Sequence, residues 1–437
     1  MRETRMDKTR IVVLGAGFAG LNFIKKIDSS RYQVTLIDRN NFHGFPPLFY
    51  QVASSGLDPT DISFPIRREM RHATDDGSRF HMGIVKSVDI AARTVRTDTG
   101  DVPYDILVIA LGTTNNFFGN PGLIDEVYTL KSTDEAIRMR NEILHRCELA
   151  AVEKDRARQR DLLSFAVIGG GPAGVEIAGA IGEVKRYVIP KEFPEINPDD
   201  MSIHIIEGSD RLLRTMSEKA SATALRDLGQ LMVEVRLGRL MKSYEGETLV
   251  LDDGSTLHAG MVIWTAGVSG VPFDLKGFPE GTNPRGPGAR IATDDRCKVV
   301  GCDGVYAIGD IGYFPSDDYP KGMPQLAQVA IQQGAYLAKM LNTGRDNGPF
   351  RYKDKGSMAT IGRNRAVADL SKNISLTGWI AWMAWMFIHL ISLLGMRNRL
   401  NVLTNWVWAY FTHNTALRLL LKGSPYPRNR GLMDDRG

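Results

Sequence analysis

Residues 11–20 read IVVLGAGFAG, an apolar run that ends in a G-x-G-x-x-G motif made by Gly15, Gly17 and Gly20. An apolar run that stops at glycines of this spacing predicts a strand, a tight turn and the start of a helix. Gly15 permits the turn, Gly17 lets the backbone approach a pyrophosphate, and Gly20 lets helix and strand pack closely.

The residues after the motif continue this pattern. A helical pattern covers 21–27, and a second apolar run over 34–37 ends at Asp38. The helix N-terminus offers N–H groups to phosphate, and Asp38 can accept hydrogen bonds from ribose hydroxyls. We therefore predict a dinucleotide site here, with a glycine-rich turn that binds no ligand as the alternative.

The same design recurs 154 residues later. Gly169, Gly171 and Gly174 form a second motif of this kind, and at the same offset the stretch 94–100 matches 248–254. Each of these stretches leads into an apolar strand that ends in a turn of small residues. Strands that alternate with helices predict a parallel sheet covered on both faces. The chain is therefore predicted to be an α/β protein with two Rossmann-like domains.

Composition excludes several other classes. The chain has 437 residues, 43% of them hydrophobic and 24% charged, which suits two or three globular domains and excludes disorder as the main state. Its three cysteines exclude a disulfide scaffold, and they form no C-x-x-C pair. The histidines and cysteines show no metal-ligand spacing, so we expect no metal. The first residues lack the apolar core of a signal peptide, which predicts a cytosolic, reducing compartment.

The second motif has its own acidic residue. Glu207 follows an apolar run at 202–206, so it would bind a ribose diol and repel a 2′-phosphate. This favours NADH over NADPH, although Arg211 and Arg214 lie nearby in the sequence. Two dinucleotide folds in one chain indicate two dinucleotides, and a nicotinamide with a flavin is the natural hydride-exchanging pair.

A third element reads VYAIGD over 305–310. Asp310, placed after a strand and Gly309, can reach the ribityl hydroxyls of a flavin. The helical pattern over 325–341 could aim its positive end at the flavin pyrimidine ring. A simple turn or helix cap at Asp310 is the alternative reading.

Over about residues 10–345 the sequence resembles the two-dinucleotide flavoprotein family of disulfide reductases. That family carries a redox C-x-x-x-x-C early in its FAD domain, but residues 41–56 here contain no cysteine. Cys297 and Cys302 have this spacing later in the chain, and we interpret them as structural. The resemblance therefore implies a flavin that passes its electrons directly to another acceptor.

Within that family the sequence is most similar to the type II NADH:quinone oxidoreductases, the single-subunit respiratory dehydrogenases that pump no protons. Four stretches carry the resemblance: 42–53 (FHGFPPLFYQVA), 169–176 (GGGPAGVE), 327–332 (AQVAIQ) and 351–367, which includes Gly356 and Ile361-Gly362. The resemblance implies non-covalent FAD in the first dinucleotide site, NADH in the second, and attachment to a membrane through C-terminal helices.

The resemblance assigns cofactor contacts to residues of the matching motifs. For FAD they are Gly15, Gly17, Phe18, Ala19, Gly20, Asp38, Arg39, Gly112, Gly309, Asp310, Leu326 and Ala327. For NADH they are Gly169, Gly171, Pro172, Ala173, Gly174, Glu207, Ala266 and Gly267.

The quinone side is assigned in the same way. Gln328 and Gln332 lie four residues apart, so one helical face can present both to a quinone carbonyl, although a solvent-facing polar surface is the alternative. Glu176 falls in the first helical turn after the second motif. It would either interact with the helix dipole or, as the resemblance implies, lie near the flavin and relay protons. Tyr50 and Gln51 are further quinone-side candidates.

The C-terminal part of the chain is basic and rich in tryptophan. Residues 376–437 contain five of the six tryptophans, and seven Lys or Arg against two acids. Residues 376–395 have no formal charge and could span a bilayer or lie on it, and 401–421 is a second Trp-rich segment. Basic flanks favour a monotopic anchor on an anionic lipid surface rather than nucleic acid, with a soluble dimer interface as the alternative.

These observations predict an FAD domain over 1–120 and 291–350, an NADH domain over 121–290 and a membrane-associated domain over 351–437. A Gly- and Pro-rich loop at 281–288 marks the predicted exit from the second domain. We expect a protein that is peripheral on the cytoplasmic face of the cell membrane and carries electrons from NADH through FAD to a membrane quinone. The family resemblance implies that it is a homodimer. The alternatives are a sulfide:quinone oxidoreductase and a flavin-containing protein whose interactions respond to NADH.

Overall fold

The computed structural model describes residues 8–70, 77–280, 284–371, 374–412 and 417–420. The helices are α1 (Phe18–Ile24), α2 (Phe49–Ala53), α3 (Ile66–Glu69), α4 (Leu123–Glu126), α5 (Thr133–Val152), α6 (Arg156–Leu162), α7 (Pro172–Glu183), α8 (Ile189–Glu192), α9 (Glu218–Gln230), α10 (Ala327–Thr343), α11 (Gly378–Ser392) and α12 (Met396–Thr412).

The strands are β1 (Thr9–Leu14), β2 (Tyr32–Asp38), β3 (Phe42–Gly44), β4 (Ser63–Pro65), β5 (Arg79–Met82), β6 (Val85–Asp89), β7 (Thr94–Thr97), β8 (Gly100–Pro103), β9 (Ile106–Ile109), β10 (Thr113–Asn115), β11 (Tyr128–Thr129), β12 (Ser164–Ile168), β13 (Ser202–Glu207), β14 (Glu234–Leu237), β15 (Met241–Glu245), β16 (Thr248–Leu251), β17 (Thr256–His258), β18 (Met261–Trp264), β19 (Val268–Gly270), β20 (Asp274–Lys276), β21 (Ile291–Ala292), β22 (Val305–Ala307), β23 (Gly312–Tyr313), β24 (Ser357–Gly362), β25 (Arg365–Ser371) and β26 (Ile374–Thr377).

The chain folds into two compact units. The first contains Met1–His43, Phe64–Thr114 and Val268–Asp354, and the second contains Gly44–Ser63, Asn115–Gly267 and Lys355–Gly437.

These units differ from the predicted boundaries in several places, and one is Gly44–Ser63, which lie within the predicted FAD domain but belong to the second unit. The chain returns to the first unit at Val268 rather than in the 281–288 loop, because β20 pairs with β6 of the first unit. Residues 281–283 of that loop lie outside the described residues. The C-terminal part belongs to the second unit, because β24 packs on α7. Which cofactor each part of the chain takes stays a prediction.

The first unit is built on a parallel sheet with strand order β22-β9-β1-β2-β5. Its central strand β1 is buried along Ile11–Leu14, as expected for a strand that is covered on both faces. Helices α1 and α10 pack against each other beside this sheet. An antiparallel meander of β6, β7 and β8 forms a separate small sheet.

The second unit repeats this design. Its parallel sheet has the order β11-β18-β12-β13-β14, with β12 in the place of β1 and fully buried. The meander of β15, β16 and β17 corresponds to that of the first unit. The α/β class with two Rossmann-like sheets, predicted from the two glycine motifs, is therefore confirmed.

The C-terminal part begins with an antiparallel sheet of β24, β25 and β26 and ends with α11 and α12. The apolar stretch at 376–395 does not form one long helix, since β26 takes its first residues and α11 has only 15 residues. At about 1.5 Å per residue, α11 is about 22 Å long, against a bilayer core of about 30 Å.

Among the described residues, no helix combines the length and apolar character that crossing a membrane requires. Several basic residues on which the anchor prediction rests lie outside the described residues: Lys422, Arg428, Arg430 and Arg436.

Candidate functional site

The first glycine loop follows β1 in the first unit and shows why each glycine is needed. Gly15 has a φ of +99°, and a Cβ there would come within 2.4 Å of the Ala110 carbonyl oxygen. A Cβ at Gly20 would lie 2.0 Å from the Gly15 carbonyl oxygen. At Gly17 an added Cβ would meet nothing within 4 Å, so the loop is open beside the start of α1. No side chain caps that helix N-terminus, which leaves the loop suited to a phosphate.

Asp38 lies at the end of β2 and holds this loop in place. Its carboxylate accepts hydrogen bonds from the backbone N–H of Ala16 at 2.7 Å and of Asn40 at 2.8 Å. Burial raises the pKa of Asp38, and these two hydrogen bonds oppose that rise. Arg39 beside it is exposed, and Gly112 has a φ of +70° with open space at its Cβ position. Phe18 is the first residue of α1, and Ala19 is buried.

Gly309 joins β22 to this loop. A Cβ at Gly309 would lie 3.0 Å from the Cβ of Ala19, so the two segments are in contact. The Gly309 N–H donates to the Gln333 side chain at 2.7 Å, and Gln333 is buried on α10. Gln333 is not among the predicted site residues, because it follows the 327–332 motif directly and its partner Gly309 lies 24 residues away in the sequence.

Asp310 and the start of α10 complete this end of the first unit. Asp310 is half-buried, and its charge acts on the buried guanidinium of Arg290. Helix α10 begins at Ala327, and Leu326 before it supplies no side-chain cap. The helix N-terminus therefore carries positive backbone charge without a neutralising carboxylate in its first turn.

The second glycine loop follows β12 in the second unit and repeats the first. Gly169 has a φ of +109°, a Cβ at Gly174 would lie 1.9 Å from the Gly169 carbonyl oxygen, and Gly171 has open space. Pro172 and Ala173 start α7, again without a side-chain cap. The predicted helix-terminal phosphate site thus has the same geometry in both units.

Glu207 ends β13 as Asp38 ends β2. One carboxylate oxygen accepts from the backbone N–H of Gly170, and the other accepts from the N–H of Ser209 at 2.7 Å and its hydroxyl at 2.6 Å. Ala266 and Gly267 follow β18, and Gly267 has a φ of +71°. A Cβ at Gly267 would lie 2.4 Å from the ring of Phe118.

The second unit also contains a cavity of about 160 Å³. Its lining brings together Tyr50, Gln51 and Glu176, which the sequence analysis named separately. The Tyr50 hydroxyl lies 2.8 Å from the Thr360 hydroxyl and accepts from the Gln51 amide at 2.9 Å. These hydrogen bonds fix the side chains of Tyr50, Gln51 and Thr360 at one wall of the cavity.

Tryptophans from the C-terminal helices form other walls of this cavity. Trp385 of α11 is buried, and its ring lies 6.2 Å from that of Tyr50 and 5.9 Å from that of Trp406. The Trp406 indole N–H donates to the Gln51 side chain at 2.7 Å. Trp382 stacks on Tyr410, with ring centroids 5.7 Å apart. An apolar aromatic wall with a few fixed polar groups suits a flat, apolar ligand that has carbonyl acceptors.

Glu176 is the acidic group of the cavity. It lies in the second turn of α7 rather than in the predicted first turn, because the helix begins at Pro172. Its carboxyl accepts a long hydrogen bond of 3.4 Å from the backbone N–H of Thr360. Burial raises its pKa from the ordinary 4.5 to about 8. The carboxyl is therefore protonated at neutral pH and loses its proton within about one pH unit of neutrality. Such a group can act as a proton donor at working pH.

Gln328 and Gln332 lie elsewhere, in the first unit on α10. The Gln332 side chain donates to the Lys353 carbonyl at 2.9 Å and accepts from the Lys353 N–H at 3.0 Å, so its amide holds the segment after α10. Gln328 is half-buried near the helix start. The predicted place of Gln328 and Gln332 at a quinone pocket therefore stays a prediction for both residues.

The three cysteines are free and buried. Burial raises the pKa of the Cys147 thiol to about 12 and also raises that of Cys297 and Cys302. Because the thiolate is the reactive form, none of these groups suits sulfide or dithiol chemistry at neutral pH. Among the described residues, no three His, Cys, Asp or Glu side chains are grouped so that they could hold a metal ion.

Comparison with known families covers nearly the whole chain. The family described as pyridine nucleotide-disulphide oxidoreductase matches residues 9–334, and the family described as NDH2 C-terminal domain matches residues 355–413.

Curated relatives are similar over most of their length. The type II NADH:quinone oxidoreductase NdhA of Mycobacterium tuberculosis is 34% identical over 414 residues, which are 91% of this chain and 86% of the relative. The mitochondrial internal alternative NAD(P)H-ubiquinone oxidoreductase A1 of Arabidopsis thaliana is 30% identical over 440 residues, 92% of this chain and 84% of the relative.

Solved structures share the fold. NDH2 of Plasmodium falciparum in complex with NADH matches with a TM-score of 0.87 at 22% identity, over 95% of this chain and 100% of that one. The sulfide:quinone oxidoreductase of Aquifex aeolicus matches with a TM-score of 0.69 at 18% identity, over 93% and 96%.

Proposed function

Since the chain belongs to the pyridine nucleotide-disulphide oxidoreductase family and, within it, to the type II NADH:quinone oxidoreductases, we propose that it oxidises NADH and passes two electrons through FAD to a quinone, without pumping protons. The observation that carries this proposal is the pair of open glycine loops at Gly17 and Gly171, one in each unit. Two such loops suit two dinucleotides.

The first loop fits FAD. The space at Gly17 and the uncapped start of α1 suit its pyrophosphate, and Asp38 retains acceptor capacity for a ribose hydroxyl. Asp310 would hold the ribityl chain, and the start of α10 would face negative charge on the ring system. When bound, FAD supplies the two-electron chemistry that links a hydride donor to the acceptor.

The second loop binds NADH in this proposal. Gly171 and the uncapped start of α7 receive the pyrophosphate. Glu207 accepts hydrogen bonds from the ribose diol of the adenosine half and repels a 2′-phosphate, which gives the preference for NADH. These contacts orient the nucleotide. Hydride transfer from NADH then requires no acid or base from the protein.

The quinone binds with its headgroup at the cavity of the second unit. Tyr50 and Gln51 supply polar contacts, the tryptophans Trp385 and Trp406 supply apolar walls, and Glu176 donates a proton to the reduced ring. From the family resemblance alone, Gln328 and Gln332 on α10 of the first unit are proposed as quinone-side residues. The Gln332 amide is committed to Lys353, so Gln332 would act by holding that segment.

The C-terminal helices would attach the protein to a membrane surface. Helices α11 and α12 expose many large apolar side chains, among them Phe387 at 64%, Trp408 at 63% and Phe411 at 77%. Arg397, in the first turn of α12, is exposed and could pair with anionic lipid headgroups. We place this surface on the cytoplasmic face of the cell membrane, and we expect a homodimer, as the family resemblance implies.

Vesicle flotation tests this attachment. The protein should float with vesicles that contain anionic phospholipid and less with neutral ones. The double variant Phe387→Ser with Trp408→Ser should lose most of this binding while it keeps NADH oxidation with a soluble acceptor. Equal flotation of both proteins would contradict the assignment of this face.

The reaction itself is tested by stoichiometry. In detergent, one quinol should form for each NADH consumed, and removal of FAD should abolish the reaction until FAD is returned. In sealed vesicles the reaction should build no proton gradient. NADH consumption without quinol would overturn the proposal.

A further inference from the structure

Helix α7 carries a second buried carboxyl besides that of Glu176. Glu183 follows seven residues later, which is close to two helical turns, so both side chains lie on one face of the helix with Ala180 between them. Glu176, Ala180 and Glu183 all line the same cavity. In the proposed quinone reduction Glu176 is the proton donor, and no role is assigned to Glu183.

Strand β24 orients both carboxyls. It crosses α7 at Gly179, where a Cβ would lie 1.9 Å from the Ile361 carbonyl oxygen, so only glycine allows this approach. The crossing places the Thr360 N–H against Glu176 at 3.4 Å. It places the Arg363 N–H against Glu183 at 2.6 Å. Each carboxyl thus receives one backbone donor from the same segment.

Burial and nearby positive charges act on the pKa of Glu183 in opposite directions. Burial raises the pKa of Glu183, whereas the hydrogen bond from Arg363 and the positive charges of Arg363 and Arg365 lower it. Burial raises the pKa of Tyr50 on α2, and the charges of Glu176 and Glu183 raise it further. These opposing effects are those found at buried groups that exchange protons.

We propose that Glu183 is a proton-relay residue that resupplies Glu176 from solvent during quinone reduction. This inference rests on the proposed function and adds the route by which protons reach it. Tyr187 and Arg418 also line the cavity, and Arg418 pairs with Glu192, whose side chain is 39% exposed, so the polar lining includes a group that is in contact with a solvent-exposed carboxylate.

The proton balance fits one relay. NADH delivers its electron pair as hydride, so each quinone reduced to quinol takes up one net proton from solvent. That proton leaves the Glu183 carboxyl for the carboxylate of Glu176, and Glu183 then takes a proton from water. Seven residues of helix span about 10 Å, so water must bridge the two groups. The cavity of about 160 Å³ has room for several molecules at about 30 Å³ each.

The test is Glu183→Gln, which keeps an acceptor for the Arg363 N–H but cannot release a proton. We expect an unchanged rate of flavin bleaching by NADH, at least about a tenfold loss in quinone turnover, and a larger solvent isotope effect on that turnover. Glu183→Asp should recover part of the turnover and serves as the test variant if the glutamine protein does not fold. Glu195→Gln, an exposed carboxylate, is the matched control.

Infrared spectroscopy gives a readout that does not depend on turnover. The carbonyl stretch of a protonated carboxyl should change with pH in the wild type and be diminished in Glu183→Gln. A folded Glu183→Gln protein with wild-type turnover and isotope effect would overturn the relay. If the wild type itself is not reoxidised by quinone, the proposed function fails instead, so the two failures are distinct.

Discussion

The hydroxyls of Tyr50 and Thr360 lie 2.8 Å apart, although 310 residues separate them in the chain. Tyr50 belongs to α2, which follows the first glycine motif and β2 in the sequence. Thr360 belongs to β24 of the C-terminal sheet. Their contact is made inside the second unit, next to Glu176. The cavity wall proposed for the quinone therefore depends on a residue pair that no local sequence pattern contains.

Replacing Thr360 by valine tests this wall. Thr360→Val keeps the shape but removes the hydrogen bond to Tyr50, whose hydroxyl retains the Gln51 donor. We expect a loss of about 1 kcal/mol in unfolding free energy, together with weaker quinone binding seen as a higher KM. Denaturant unfolding and quinone titrations measure the two effects, and Thr360→Ser should restore both. A valine variant with the wild-type KM for quinone would show that Thr360 has no part in quinone binding.

Gln328 is tested by separating the two half-reactions. Gln328→Leu should impair quinone turnover more than flavin bleaching by NADH, because a quinone carbonyl loses a donor. The two rates are measured independently on one preparation, with the exposed Gln230→Leu as a control. Equal losses in both rates would show that Gln328 acts on the fold or the flavin rather than on the quinone.

Glu207 is tested by nucleotide preference. Glu207→Ala should weaken NADH binding and narrow the gap to NADPH, because the repulsion of a 2′-phosphate disappears. The variant also loses the bonds to Gly170 and Ser209, so Glu207→Gln serves as the milder change. The ratio of kcat/KM for the two nucleotides is the measurement, with exposed Glu195→Ala as control. An unchanged ratio would exclude Glu207 as the ribose ligand.

The protonation of Glu176 predicts how stability depends on pH. Its pKa rises from 4.5 in the ordinary carboxyl to about 8 in the folded protein, so the folded state binds the proton more tightly. The stabilisation is complete below pH 4.5 and is lost as pH rises towards about 8, at up to about 1.4 kcal/mol per pH unit.

Glu176→Gln removes this titration, so its unfolding free energy should fall less than that of the wild type between those pH values. Denaturant unfolding of both proteins across the range gives the difference. Parallel curves for the two proteins would mean that Glu176 titrates as an ordinary carboxyl.

The sequence predicts the fold well because its signals are local. A glycine motif, the apolar runs on either side and an acidic residue after the second strand fix a βαβ unit, and a constant offset of 154 residues indicates that the unit occurs twice. The open space at Gly17 and Gly171 follows from the same pattern.

What the sequence leaves out depends on tertiary contacts. Gln333 binds the Gly309 N–H and Glu183 shares a cavity with Glu176, but neither stands out from its neighbours until the helices are packed. The apolar run at 376–395 looks continuous in the sequence, but β26 contains its first residues and α11 begins only at Gly378, which has a φ of +68°. Gln332 shares its helical spacing with Gln328, yet Lys353 occupies its amide.

The most direct test of the central claim is an anaerobic stopped-flow experiment in two steps on detergent-purified protein. NADH is added first and then a short-chain quinone, while flavin absorbance is followed. We predict rapid bleaching by NADH and rapid recovery on addition of the quinone, each at a rate at least equal to steady-state turnover. Bleaching without recovery would contradict the account, because the electrons would then belong to an acceptor other than a quinone.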